Sequence, residues 1–230
     1  HSAPAPSPVR ARCGLRCWSH LQYDGTMTSP TPRARKRPEE RRAEILQEAS
    51  HIALEQGLER VTLRAVADQL GVRPGLISHY FPAAEDLVAA AFELAITGER
   101  DRLFSTSGGP TVRLARLVRR MTTGEADELA RLWLNARHLG RFSDVLAQSL
   151  ATQESIDREH MRALIEDGVA AGEFHTDDAF AACVRVFVAI DGFSVYVNAV
   201  DSFEVPAYTT FVSDVCEWTL GLAPGSLASS

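Results

Sequence analysis

The sequence predicts an all-α protein, with an N-terminal three-helix helix-turn-helix domain followed by a larger C-terminal helical domain. Three observations predict it. Between residues 38 and 81, apolar residues recur at helical spacing in three short runs punctuated by Gly57, Gly71 and Pro82. Past Pro82 no period-two alternation is sustained. The 230 residues, 45% hydrophobic and 23% charged, suit one large or two small folded domains rather than a disordered or fibrous chain.

Residues 1–32 read as a disordered tail. They carry Pro4, Pro6, Pro8, Pro30 and Pro32, many small residues and no period. The run Cys13–Leu21 is broken by Arg16, Ser19 and His20, so it does not form the apolar core of a secretory signal. Met27 reads as a natural start, which would place residues 1–26 upstream of it. Cys13 and Cys17 have no second Cys/His pair nearby and read as incidental thiols rather than a zinc site. Four cysteines are too few for a disulfide scaffold.

Charge is unevenly distributed. Residues 33–80 carry a net +2, residues 81–230 a net −10, and the whole chain −6. A basic head on an acidic body implies that a polyanion, if bound, is bound by the head. Lys36 is the only lysine among 24 basic residues, so arginine richness by itself reflects coding bias more than function. The longest apolar run, Val184–Val200, is interrupted by Arg185, Asp191, Gly192, Ser194 and Asn198, and no stretch approaches the ~20 apolar residues of a membrane helix.

Within the head, Arg33, Arg35, Lys36 and Arg37 form a basic arm suited to phosphates or a minor groove, or equally a solvated linker. Pro38-Glu39-Glu40 opens a helix, with proline in the first turn and acids at the positive dipole end. Ile45, Leu46, Ala49, Ile52 and Ala53 form its apolar face to about Gln56, and Gly57 is expected to stop it as a left-handed cap. Thr62 N-caps a second helix whose inner face is Leu63, Val66, Ala67 and Leu70. Gly71 permits a tight turn, Val72 buries, and Arg73-Pro74-Gly75 opens a third helix through Leu76, Ile77, Tyr80 and Phe81. Two helices about three residues apart around a glycine have helix-turn-helix spacing, which presents the second of them to a major groove. Its outward positions are Arg73, Gly75, Ser78 and His79, with Tyr80 at the edge. A small three-helix bundle with a polar face has the same pattern.

The stretch from Glu40 to Leu87, ERRAEILQEASHIALEQGLERVTLRAVADQLGVRPGLISHYFPAAEDL, resembles the N-terminal domain of TetR-family transcriptional repressors. The resemblance rests on I-L-x-x-A in the first helix, G-x-x-x-V-T-L-R-x-V-A across the turn, and L-G-V-x-x-G-L-I-S-H-Y-F-P followed by E-D-L. The I-S-H-Y-F form is similar to the choline-responsive BetI-type branch. The resemblance implies that Thr62 and Arg64 contact phosphate, that Arg73, Gly75, Ser78 and His79 face the groove, and that Tyr80 touches the DNA backbone. With Arg33, Lys36 and Arg37 of the arm, these are the candidate DNA-binding residues. One departure stands out: family members usually carry lysine where this chain has Ala84, so a phosphate contact is missing there. The family further implies a cytoplasmic, ligand-released repressor that binds a palindromic double-stranded operator as a homodimer, without a cofactor or membrane.

The body reads as helices over 84–104, 112–123, 125–139, about 142–168, about 177–199 and 205–221, giving a domain of residues 83–222 after a head of 33–82. The end, 223–230, reads as frayed. The segments Val169–Phe174, Asp178-Ala179 and Ile190–Phe193 loosely resemble the family's C-terminal region, which implies that helices of about 177–199 and 205–220 pair with those of a second subunit. Phe180, Val184, Phe187, Val188, Ile190 and Val195 make the first of these apolar nearly all round, so it needs cover on more than one side. An unidentified small-molecule effector is expected between body helices, with candidate contacts Trp133, Asn135, His138, Phe142, Phe187, Asp191 and Tyr196. Asp191 within an apolar helix needs a partner, either a neighbouring helix or a cationic ligand.

An enzyme is not expected. The sequence has no G-x-S-x-G, P-loop, H-E-x-x-H or C-x-x-C. Asp157-x-x-His160 resembles one arm of a carboxylate-bridged metal site but lacks the second, so surface salt links are the better reading. The remaining alternative to a repressor is an all-helical small-molecule- or metal-binding protein without operator binding.

Overall fold

The computed structural model describes residues 36–198 and 206–227. Among them every regular element is helical: α1 (Pro38–Gln56), a short 3-10 turn (Leu58–Arg60), α2 (Leu63–Leu70), α3 (Pro74–Tyr80), α4 (Ala84–Leu103), α5 (Pro110–Thr122), α6 (Asp127–Leu139), α7 (Asp144–Ala170), α8 (Ala179–Val197), α9 (Pro206–Thr209) and α10 (Phe211–Leu220). The all-α class, with a helix-turn-helix head and a larger helical body, is therefore the observed one. Residues 1–32, Arg33, Arg35 and Val205 lie outside the described residues, and with them the expected tail, part of the basic arm and the expected start of the last helix.

The head forms as its pattern dictates. Ile45, Ala49, Ile52 and Ala53 are buried on α1, and Val66, Ala67 and Ile77 on α2 and α3. The Thr62 hydroxyl accepts the Ala65 amide at 3.0 Å, starting α2. Gly71 ends α2 in the left-handed region, φ 63° and ψ 38°. Gly57 departs from expectation: at φ 109° and ψ 150° it is not a left-handed cap but an extended corner with positive φ, open to glycine and strained for other residues.

Two hydrophobic cores build the molecule. The first runs from the head across Pro82 into α4 and α6, through Phe81, Leu87, Phe92, Leu129 and Leu132. The second joins α5, the C-terminal half of α7, α8 and α10, through Leu114, Met161, Ile165, Phe174, Val186 and Leu220. At the α7–α8 turn the Glu173 and Phe174 amides bond the Gly168 carbonyl, and the Phe174 ring leaves no room for a Cβ at Gly168. The His175 amide donates to the Leu220 carbonyl, tying this turn to the end of α10. Beyond α10 the chain is not frayed from residue 223 as expected. The buried Glu217 carboxylate accepts the Gly225 and Leu227 amides at 2.8 and 2.9 Å, and Leu227 is buried.

The expectation that no stretch approaches a membrane helix is also corrected. By length and composition α8, Ala179–Val197, is apolar enough to cross a membrane. Its apolarity has a local use, because Ala182, Cys183, Val186, Ala189, Ile190 and Phe193 are buried on it, most of them in the second core. Its other face exposes Phe180, Val184, Val188, Val195 and Tyr196, beside the exposed Phe211 and Trp218 of α10.

Candidate functional site

The head presents one polar face. Arg73 is exposed at the extended residue before α3, and Pro74 occupies the first helical position. Gly75 and His79 are exposed and Ser78 is half-buried. The Ser78 hydroxyl leans back on its own helix, toward the Pro74 and Gly75 carbonyls at 3.4 and 3.3 Å. Tyr80, also half-buried, meets the His79 ring edge-on at 5.3 Å. A Cβ at Gly75 would meet nothing, so the front of α3 is open to close approach. Thr62 and Arg64 are exposed at the start of α2, with Asp68 3.8 Å from Arg64.

The described part of the arm is already paired. Lys36 Nζ lies 2.6 Å from Glu44, which also holds Arg41 at 2.6 Å. Arg37 lies 2.7 Å from Glu40. The Arg37 side chain and amide donate to the Glu40 carboxyl and hold its pKa below the ordinary value. The Arg37–Glu40 pair is exposed, and such pairs are worth little, whereas Arg41 and Glu44 are half-buried. Ala84 stands in the first turn of α4 with Glu85 and Asp86, so no cation occupies that point.

The body holds a cavity of about 300 Å³ between α4, α5, α6, α7 and α8, at the lower end of the range for small-molecule sites. Its walls are mainly apolar: Leu103, Phe104, Met121, Trp133, Met161 and Phe187 among others. Its charged groups lie on α6, α7 and α8. Arg137 Nε donates to Glu154 at 3.2 Å, and its terminal nitrogen donates to Asp191 at 3.0 Å. The same guanidinium sits 5.6 Å from the Trp133 ring centre. Arg158 reaches the other Glu154 oxygen at 3.6 Å. Behind them, buried Arg100 donates to Asp157 at 2.6 Å and to Gln153 at 2.7 Å. Burial pushes the Asp157 carboxyl above its usual range, against the pull of Arg100. Burial also raises Asp191, opposed by Arg137 and reinforced by the negative charge of Glu154.

Three of the expected ligand contacts, Trp133, Phe187 and Asp191, line this cavity; Asn135, His138, Phe142 and Tyr196 are not among its lining residues. Asn135 has a buried side-chain oxygen without a hydrogen-bond partner. His138 packs edge-on to Phe142, which is 76% exposed, and Tyr196 is half-exposed beside Tyr208. Asp191 has its partner in a neighbouring helix, one of the two options the sequence left open. Asp157 is not a surface residue as expected; it is buried against Arg100, while His160 Nδ1 lies 2.8 Å from the Ile156 carbonyl of its own helix. Sequence reading missed Arg137, Glu154 and Arg158. The i, i+4 spacing of Trp133 and Arg137, which puts them on one face of α6, was the available signal.

Head and body are joined by a direct bond. Arg131 of α6, two residues from Trp133, donates to the Leu54 and Glu55 carbonyls at the C-terminal end of α1, at 2.8 and 3.3 Å. Trp133 also meets Phe92 of α4 edge-on at 5.3 Å.

The model of bacterial regulatory proteins of the tetR family matches residues 45–91, the whole helix-turn-helix and the start of α4. Over these residues the chain is similar to the TetR family. It is 28% identical over 157 residues to the HTH-type transcriptional repressor KstR2 of Mycolicibacterium smegmatis, covering 66% of this chain and 74% of that protein. Its fold is similar to a TetR transcription regulator from Haloarcula marismortui, with a TM-score of 0.67 at 20% identity over 79% of this chain and 99% of the other. A transcriptional regulator from Saccharomonospora viridis, solved in complex with choline, is equally similar, with a TM-score of 0.67 at 21% identity over 79% and 98% of the two chains. These relatives are transcriptional regulators, and the likeness covers both the helix-turn-helix head and the helical body.

Proposed function

We propose that this TetR-family regulator is a repressor that grips a palindromic operator as a homodimer and is released by a small molecule bound in the body. The observation that carries the reading is an open, polar α3 on the same compact unit as a mainly apolar cavity between the body helices. On this reading Arg73, Gly75, Ser78 and His79 read the groove, and Thr62, Arg64, Tyr80 and the arm residues Arg33, Lys36 and Arg37 hold phosphate. The domain limits 33–82 and 83–222 and a cytoplasmic location belong to the same reading. Support for the dimer comes from the apolar faces of α8 and α10, where Val188 is 65% and Trp218 75% exposed. A twofold pair covers both faces and sets two recognition helices at a fixed spacing.

Release comes from differential binding. A molecule that prefers the conformation with widely separated heads lowers operator affinity by that preference alone. The route runs through α4, which touches head and body, and is reinforced by Arg131 between α6 and α1. A choline-type effector has no independent support here, because the carboxylates lining the cavity are all engaged by arginines.

The test is fluorescence anisotropy with duplexes spanning the DNA that flanks the chain's own gene, over a salt series. Saturable, salt-dependent binding with two monomers per site is expected. A thermal-shift screen for ligands, followed by operator release, then tests induction. Failure to bind any flanking duplex at low salt sinks the reading in favour of a helical ligand-binding protein.

A further inference from the structure

The cavity carries equal numbers of opposite charges in and immediately behind its wall: Arg100, Arg137 and Arg158 against Glu154, Asp157 and Asp191. A charged ligand entering it must therefore exchange with one of these groups, and the geometry decides which. The arginines keep their charge at any accessible pH. Asp157 is buried on Arg100, and Glu154 is held by both Arg137 and Arg158. Asp191 is hydrogen-bonded to Arg137 alone among the described residues, and its side chain is 43% exposed.

We propose that the cavity takes an amphipathic monocarboxylate, an apolar body ending in one carboxylate, and that Arg137 receives that carboxylate in place of Asp191. This rests on the reading of the cavity as the effector site. The apolar walls take the body, and Trp133 and Glu154 hold the guanidinium in place for the incoming oxygens. A planar guanidinium fork matches a carboxylate in geometry as well as charge. Displaced Asp191 takes a proton from solvent. It faces Arg137 from α6 and Glu154 from α7, with Arg158 on the far side of Glu154 in the same cavity, and burial together with Glu154 already favours its neutral form. A cation has no such path, because it must evict a permanently charged arginine from two carboxylates and an aromatic face. A neutral molecule gains only the walls.

The experiment uses the full-length chain and two sets of probes, each a fixed apolar body with three heads: decanoate, decanol and decyltrimethylammonium, and the adamantane carboxylate, alcohol and ammonium. Binding is followed by titration calorimetry, with operator release measured separately. The carboxylate of at least one set is expected to bind about tenfold or more tighter than its alcohol, with the cation weakest. Arg137→Met should remove the preference for carboxylate over alcohol. Asp191→Asn, which removes the competitor, should tighten carboxylate binding and abolish the proton uptake seen in buffers of different ionisation enthalpy. Tighter binding of a cation or an alcohol overturns the ligand class while leaving the cavity as a binding site. No saturable binding of any of the six overturns the ligand class and the use of the cavity together, whatever the operator assay shows.

Discussion

The head and the body cavity solve opposite problems. The head's α3 is short, exposed and built from neighbours in sequence, so its chemistry is set by seven consecutive residues and one glycine turn. The cavity draws its polar end from α6, α7 and α8, and the Arg137–Asp191 contact spans 54 residues. At the head, charges pair loosely at the surface, where partners exchange for little. Behind the cavity wall Arg100 and Asp157 are buried together, where removing one partner strands the other. On the proposed reading, the surface that accepts a polyanion stays adaptable, while the site that takes a small molecule has its polar groups already paired.

Breaking that contrast at its strongest point should have the largest effect. Asp157→Ala leaves Arg100 buried without its anion and should cost about 3–5 kcal/mol of stability by denaturant unfolding. Arg73→Ala should weaken operator binding by about 1–3 kcal/mol with an unchanged melting temperature, as expected for an exposed reading residue. If both quantities move, the recognition surface of the head is coupled to its packing. Arg131→Ala removes the bond between the two regions; it should cost about 1 kcal/mol of stability and blunt operator release by effector more than operator binding itself. Ala84→Lys restores the missing cation and should steepen the log–log salt dependence of DNA binding by about one.

A smaller effect is linked to pH. The Asp191 carboxyl is raised in the folded chain, chiefly by burial, so the native state holds more protons than the unfolded one above the ordinary carboxylate range. Stability from this group is thus present at low pH and falls as pH rises through the raised value. Asp191→Asn should flatten that part of the melting-temperature profile; an unaltered slope would place the linkage elsewhere, with Asp157 first in line.

What the sequence made legible divides along the same boundary. Ile45, Ala49, Val66 and Ile77 announce the head's core because helical periodicity is local, and the motif from Glu40 to Leu87 is continuous. Most of the body's helices were legible for the same reason, but the last, expected as one over 205–221, is two, Pro206–Thr209 and Phe211–Leu220. The cavity was legible only in its isolated oddities: Trp133 and Asp191 stood out as misfits, whereas Arg137, Glu154 and Arg158 looked like ordinary surface charges on amphipathic helices. Nothing in a one-dimensional period tells which solvent-like charge will be folded inward by a helix 54 residues away. The buried state of Asp157 was missed for that reason too.

The clasp that ties the α7–α8 turn to the end of α10 has a kinetic consequence. With the His175 amide on the Leu220 carbonyl and Glu217 gathering the chain beyond it, the end of α10 is fixed to the α7–α8 turn within a single copy. Two such copies would meet as rigid bodies, so the speed of pairing would track encounter frequency and concentration rather than any rearrangement of the helices.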